Sequence, residues 1–260
     1  MHDVVEFEIC LSMKCSLALP RSLFDGKTLV VLKLSSNLDI GAPTSICFPN
    51  LKILHLHSLA CLDDKRKKKI IADCPIPEKL SIKRLVLDKM RSISPCLVFL
   101  DLGDYISENY NVIELSQLSE ACLSVGQIYI QSIPNDEYGN NLVLNLLCKI
   151  SNVKHLKLSQ HIGKSVACAV AAGSWLCVYR SSTYLEVEVE GSWQFVSDLL
   201  EFSPNLEVLV CTTVRRCTLI AKGPHVPCCC TWKPPDSVPS CISRASEEFN
   251  LLDLMGAKLR

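Results

Sequence analysis

One short pattern governs what this chain can fold into. The frame L-x-x-L-x-L, with any aliphatic residue accepted, occurs at Leu29/Leu32/Leu34 in "LVVLKL" and at Leu51/Leu54/Leu56 in "LKILHL". It recurs at Ile82/Leu85/Leu87, Leu97/Leu100/Leu102, Val125/Ile128/Ile130 and Val153/Leu156/Leu158. Two looser copies follow at Tyr184/Val187/Val189 and Leu206/Leu209/Cys211. Successive starts are 22, 31, 15, 28, 28, 31 and 22 residues apart. The 15-residue step is too short for a regular unit and marks a partial or damaged copy.

Each frame supplies a short strand with its aliphatic residues turned inward, followed by a segment that must return to the start of the next strand. One such unit cannot bury its apolar side alone, whereas stacked neighbours share a continuous core. Most of the steps lie in or near the leucine-rich-repeat period. The expected fold is therefore an α/β leucine-rich-repeat solenoid over residues 1–215, curved, with short parallel strands and helical or irregular return segments. A conventional α/β domain with similar buried strands is the competing reading. The return segments agree with the repeat. "DDKRKKKIIADCP" opens on acidic residues and stops at proline, and "ENYNVIELSQLSEACLSV" and "NNLVLNLLCKIS" carry apolar residues at helical spacing. "GSWQFVSDLLEFSP" reads as a helix from about Trp193 to Phe202.

Composition narrows the setting. With 48% apolar and 21% charged residues the chain can bury a large core, and its formal net charge of zero gives no overall pull toward nucleic acid or anionic membrane. Sixteen cysteines raise the question of a disulfide scaffold. Against it, "MHDVVEFEIC" is acidic where a secretory leader is basic and then apolar, and no N-x-S/T acceptor occurs. Cys47, Cys74, Cys96 and Cys148 sit beside apolar residues and read as small buried hydrophobes, reduced in a cytoplasmic or nuclear setting. The uncharged run Ser165 to Tyr179 is shorter than the roughly 20 residues of a membrane span, so a soluble protein with no membrane partner is expected.

No motif for catalysis or phosphate binding is present, so no catalytic residue and no cofactor are expected. Cys211, Cys217, His225 and Cys228 to Cys230 lack paired C-x-x-C units, and an irregular cysteine-rich linker over 216–231 is expected rather than a metal site. "KRKKK" at Lys65 to Lys69 reads as a solvated helix face in preference to an import signal, and with no aromatic platform beside it no nucleic-acid partner is expected. Binding would then live on the inner, concave sheet face, where the residues alternating with the frame point. These are Ile53, His55 and His57; Arg84, Val86 and Asp88; Gln127, Tyr129 and Gln131; His155, Lys157 and Ser159; and Glu186, Glu188 and Glu190. The candidate partner-binding set is His55, His57, Arg84, Tyr129, His155, Lys157, Glu186, Glu188 and Glu190. The glutamate triplet is either an acidic stripe that selects a basic partner segment or simply the wet side of an edge strand.

Several longer stretches add a resemblance: "LALPRSLFDGKTLVVLKL", "FPNLKILHLHSL", "ADCPIPEKL", "KISNVKHLKLS", "LEVEVEGSWQFVSDLLEFSPNLEVLV" and "WKPPDSVPSC". Together they resemble the plant F-box proteins with leucine-rich repeats and a C-terminal FBD segment. That resemblance implies a non-catalytic role, holding a protein substrate for a cullin-based ubiquitin ligase, with residues 232–260 as a truncated FBD-like segment. Departures accompany it. Only 19 residues precede Pro20, too few for an F-box, so docking on the ligase adaptor is not expected and recognition is expected to be uncoupled from the ligase. Pro77 stands where the family usually has leucine. A general repeat scaffold, or a non-functional gene fragment, is the alternative.

Overall fold

The computed structural model describes residues 4–11, 17–19, 21–35, 38–39, 46–58, 77–83, 96–103, 115–124, 137–173, 177–189, 194–213 and 241. Its strands are β1 (Glu6–Cys10), β2 (Leu17–Ala18), β3 (Val31–Ser35), β4 (Leu38–Asp39), β5 (Ile53–His57) and β6 (Lys79–Lys83), then β7 (Phe99–Gly103), β8 (Glu120–Leu123), β9 (His155–Leu158), β10 (Tyr184–Val189) and β11 (Val208–Thr213). Nine of them form one sheet in the order β1-β3-β5-β6-β7-β8-β9-β10-β11, and every pairing is parallel. Strands β2 and β4 make a separate short parallel pair. Each strand of the main sheet thus lies beside its predecessor, which makes the chain a coil growing one strand per turn. That is the leucine-rich-repeat α/β solenoid.

The inward leucines align because a parallel register repeats with every turn. Leu32, Leu54, Leu80, Leu100, Ala121, Leu156 and Leu185 stand side by side, none more than 4% exposed. The next row, Leu34, Leu56, Ile82, Leu102, Leu123, Leu158 and Val187, is equally buried. Turns bring the chain into each strand in a recurring way. Leu29, Leu51, Leu118, Val153, Ser182 and Leu206 each donate a backbone N–H to the carbonyl three residues earlier. Asn50 and Asn205 donate side-chain amides to the carbonyls of Lys27 and Arg180 in the preceding turn, 2.7 Å each.

Three helices return the chain in the later turns: α1 (Glu137–Lys149), α2 (Gln160–Ala171) and α3 (Gln194–Glu201). Leu146, Leu147, Ile162, Val166, Val196 and Leu199 fill the core beneath them. Gly163 lets α2 and α3 approach closely, since a Cβ there would fall 2.9 Å from the Phe195 ring. No helix among the described residues is long and apolar enough to cross a membrane. Cys241 is buried in the same core, and its thiol donates to the Leu200 carbonyl at 3.6 Å.

The structure corrects the frame in three places. Strand β6 uses the frame Pro77/Leu80/Ile82, with Leu80 and Ile82 inward and Pro77 buried at its start, while Leu85 and Leu87 of the expected frame lie outside the described residues. Starts at 51, 77 and 97 give steps of 26 and 20 residues among the described strands, in place of the expected 31 and 15. Strand β8 uses the frame Leu118/Ala121/Leu123, inside the stretch expected to be helical, while the frame expected at Val125/Ile128/Ile130 lies outside the described residues. In β10 the frame starts at Ser182, and Tyr184 pairs with His155 on the opposite face. Strand β1, with Phe7 and Ile9 inward, is a further turn.

The cysteine reading changes as well. Cys47 and Cys96 are exposed: Ile46 and Phe48 on either side of Cys47 are buried, so the residue between them turns outward. Cys148 is exposed on α1 and forms a disulfide with buried Cys177. The thiol at Cys74 lies outside the described residues.

Candidate functional site: a polar row across the open sheet face

Return segments cover one face of the sheet and leave the alternating residues on the other. Strands β3 and β5 show the consequence as half-buried positions alternating with buried ones. Register then lines the open-face residues up across strands. The middle row is Glu8, Lys33, His55, Ser81, Asp101, Cys122, Lys157, Glu186 and Val210. Eight consecutive strands therefore contribute a polar group or a thiol to one line.

The centre of the row is bonded through. His57 Nε2 lies 2.9 Å from Ser81 Oγ, which donates to Asp101 Oδ2 at 2.9 Å. Because the serine proton points at the carboxylate, His57 must donate, which selects its Nε2–H tautomer. Lys83 Nζ approaches the same Oδ2 at 2.6 Å. Gly103 makes this possible: a Cβ there would sit 2.9 Å from Lys83 Cγ, so the lysine stem lies across the glycine. Ser81 is 2% exposed and Asp101 8%, whereas the Lys83 side chain is 39% exposed. The serine sits between imidazole and carboxylate, not beside an imidazole that itself contacts the acid. That order makes His57 a donor to the hydroxyl and not its base, so the three groups do not form a Ser–His–Asp relay.

Flanking pairs extend the row. Lys33 bridges Glu8 at 2.8 Å and Glu6 at 3.3 Å, and Lys157 meets Glu186 at 2.5 Å. The Lys33 bond holds the Glu8 carboxyl below its usual range, and the glutamates raise Lys33. Lys157 is raised chiefly by its bond to Glu186. His55 and His57 stack 6.0 Å apart and are lowered, first by burial and then by nearby lysines. Burial also pushes the Cys122 thiol up to about 11, with Asp101 adding to it, so it is not a reactive thiolate at neutral pH.

Of the residues proposed from sequence, His55 and His57 sit together at this centre, and Lys157 and Glu186 form one pair. His155 packs edge-on to Tyr184 at 5.6 Å and lies 3.7 Å from Glu120. Glu188 is half-buried on β10 opposite Thr212. Arg84, Tyr129 and Glu190 lie outside the described residues. Ser81, Lys83, Asp101 and Cys122 were missed. For Asp101 the signal was present, because it occupies in "LVFLDL" the frame position that His55 occupies in "LKILHL". For Ser81 and Cys122 the frame itself was misplaced.

One parallel strand per turn, a leucine-lined core and an open polar face define a leucine-rich-repeat protein. The family model described as "FBD-associated F-box protein At5g56370, LRR repeats" matches residues 2–211, and the chain belongs to that family. F-box/FBD/LRR-repeat protein At4g26340 of Arabidopsis thaliana is 25% identical to it over 261 residues, covering 95% of this chain and 61% of the relative. F-box/FBD/LRR-repeat protein At5g56420 of the same plant is 29% identical, covering 89% and 56%. This chain therefore spans little more than half the length of these relatives. No solved structure matches it significantly.

Proposed function

We propose that the chain is a non-catalytic recognition module that binds a protein partner on the open sheet face, as the substrate-recognising part of an F-box ubiquitin-ligase subunit would. One observation carries this reading. The middle row sets charged and polar side chains on seven strands and a thiol on an eighth, several of them held in place by cross-strand bonds. Prearranged side chains lose little freedom on binding, which favours specific recognition over loose adhesion. Exposed Lys79, Glu120 and His155 line the neighbouring row, where Val31, Ile53 and Phe99 supply apolar contact. Glu186 is engaged by Lys157, so among the described glutamates of β10 the acidic character offered to a basic segment rests on Glu188.

Affinity capture from plant extract tests the reading with three full-length baits: the natural chain, an open-face variant (Lys79→Glu, His155→Glu, Glu188→Lys) and a control variant (Lys27→Glu, Lys154→Glu). The expected result is a partner retained by the natural and control chains and lost by the open-face variant, at equal thermal stability. Equal retention by all three contradicts it. Recovery of the ligase adaptor with the partner would make the chain a working ligase subunit. A partner recovered without adaptor is the expected outcome and uncouples recognition from ubiquitin transfer.

A further inference from the structure

The Cys148–Cys177 disulfide lies away from the open face, and its surroundings point to a second use of this molecule. The two Cα atoms are 5.3 Å apart, within the ordinary span of a disulfide, and the bridge closes 29 residues of chain that include β9 and α2. Its two ends differ. Cys148 is exposed on the last turn of α1, whereas Cys177 is 7% exposed within the core. The bridge is also not what brings the two ends together. Tyr179, fully buried, donates its hydroxyl to the carbonyl of Leu147, the neighbour of Cys148, at 3.2 Å. Its own N–H donates to the Phe202 carbonyl at 2.7 Å. The hydroxyl bond ties the segment carrying Cys177 to α1, and the N–H bond ties it to the chain just past α3; neither needs the sulfurs to be joined.

We propose that Cys148 and Cys177 form a reversible thiol–disulfide site, opened and closed by a low-molecular-weight thiol of the glutathione class, with Cys148 as the point of attack. A glutathione thiolate attacks the exposed Cys148 sulfur; the Cys148–Cys177 bond breaks, and Cys177 leaves and takes up a proton. A second glutathione thiolate attacks the glutathione sulfur of the mixed disulfide, glutathione disulfide departs, and Cys148 is protonated. Two electrons and two protons pass to the protein, and two thiols become one disulfide. The reverse sequence closes the bridge, and the Tyr179 anchors keep Cys177 within reach of the mixed disulfide, so closure outcompetes accumulation of glutathionylated protein. Few disulfides persist against a reducing thiol pool, and one with an accessible sulfur is of the responsive kind.

The test equilibrates the full chain across a series of reduced-to-oxidised glutathione ratios, quenches it with acid and maps alkylated and linked peptides by mass spectrometry. Cys148 and Cys177 are expected to convert together along one curve, with little glutathione on Cys148, while exposed Cys10 and Cys47 follow separate curves. In Cys177→Ser, Cys148 should become glutathionylated; in Cys148→Ser, Cys177 should stay unalkylated until the chain unfolds. Tyr179→Phe should shift the midpoint ratio by about fivefold toward oxidising conditions, the effect of one hydrogen bond. Reduction should lower the melting temperature of the natural chain by roughly 10 °C and leave that of the Cys148→Ser/Cys177→Ser chain unchanged. Independent titration of the two cysteines, a glutathione adduct as the main oxidised form, or pairing of either with another cysteine would overturn the proposal. An unmoved midpoint in Tyr179→Phe would remove the anchoring role.

Discussion

At Asp101 a carboxylate almost closed to solvent takes both the Ser81 hydroxyl and the Lys83 ammonium on one oxygen. Its worth depends on Gly103, over which the lysine stem passes. Gly103→Ala should therefore destabilise the chain by about 1–3 kcal/mol, the usual range for forcing an extra carbon into a packed contact. In a Lys83→Ala background the same substitution should cost less than about 0.5 kcal/mol, and a denaturant-unfolding cycle on the four chains measures the difference. Acid acts on the neighbouring histidines. His55 and His57 have folded pKa values below the ordinary one, so the unfolded chain binds protons first as pH falls. Stability is then full above about pH 6.5 and declines as pH drops from there, before carboxylates titrate. Thermal melts between about pH 7 and 5 should show the decline in the natural chain and a flatter profile in His55→Gln/His57→Gln. Lys157 carries the opposite sign: raised by Glu186, it contributes stability below the unfolded lysine value that is lost as pH rises past it.

Among elements, the repeat was legible wherever the frame residues are leucine. Strands β3, β5, β7, β9 and β11 lie where "LVVLKL", "LKILHL", "LVFLDL", "VKHLKL" and "LEVLVC" place them, with His55 and Lys157 on the open face as the alternation requires. Strands β6 and β8 were not legible, for a physical reason. Pro77 and Ala121 fill frame positions without being large aliphatics, and a proline cannot make the turn bond that Leu29 and Leu51 make. Nearby "IKRLVL" and "VGQIYI" match the letters better and drew the expected frame away from β6 and β8, although the register of β6 and β8 with both neighbouring strands suits the repeat. The Cys148–Cys177 bridge had no sequence signal, since Leu147 and Ile150 beside Cys148 suggest burial while the helix turns it outward. The helical layer offers a sharper test of packing. Gly163→Leu must push Phe195 aside and should cost more than about 2 kcal/mol, while Leu100→Ala in the sheet should cost about 2–5 kcal/mol. Urea unfolding of each variant checks both.

For the whole molecule, a formal net charge of zero gives no overall electrostatic pull, so recognition rests on short-range fit at particular rows of the open face. A partner should therefore cover the sheet face and not the return segments. Lysine-reactive footprinting of the full chain, alone and with the partner recovered by capture, tests that place directly. Lys79, Lys83 and Lys157 are expected to become shielded in the complex while Lys27 and Lys154 label as before. Shielding of Lys27 and Lys154 with Lys79 and Lys157 still fully labelled would contradict it.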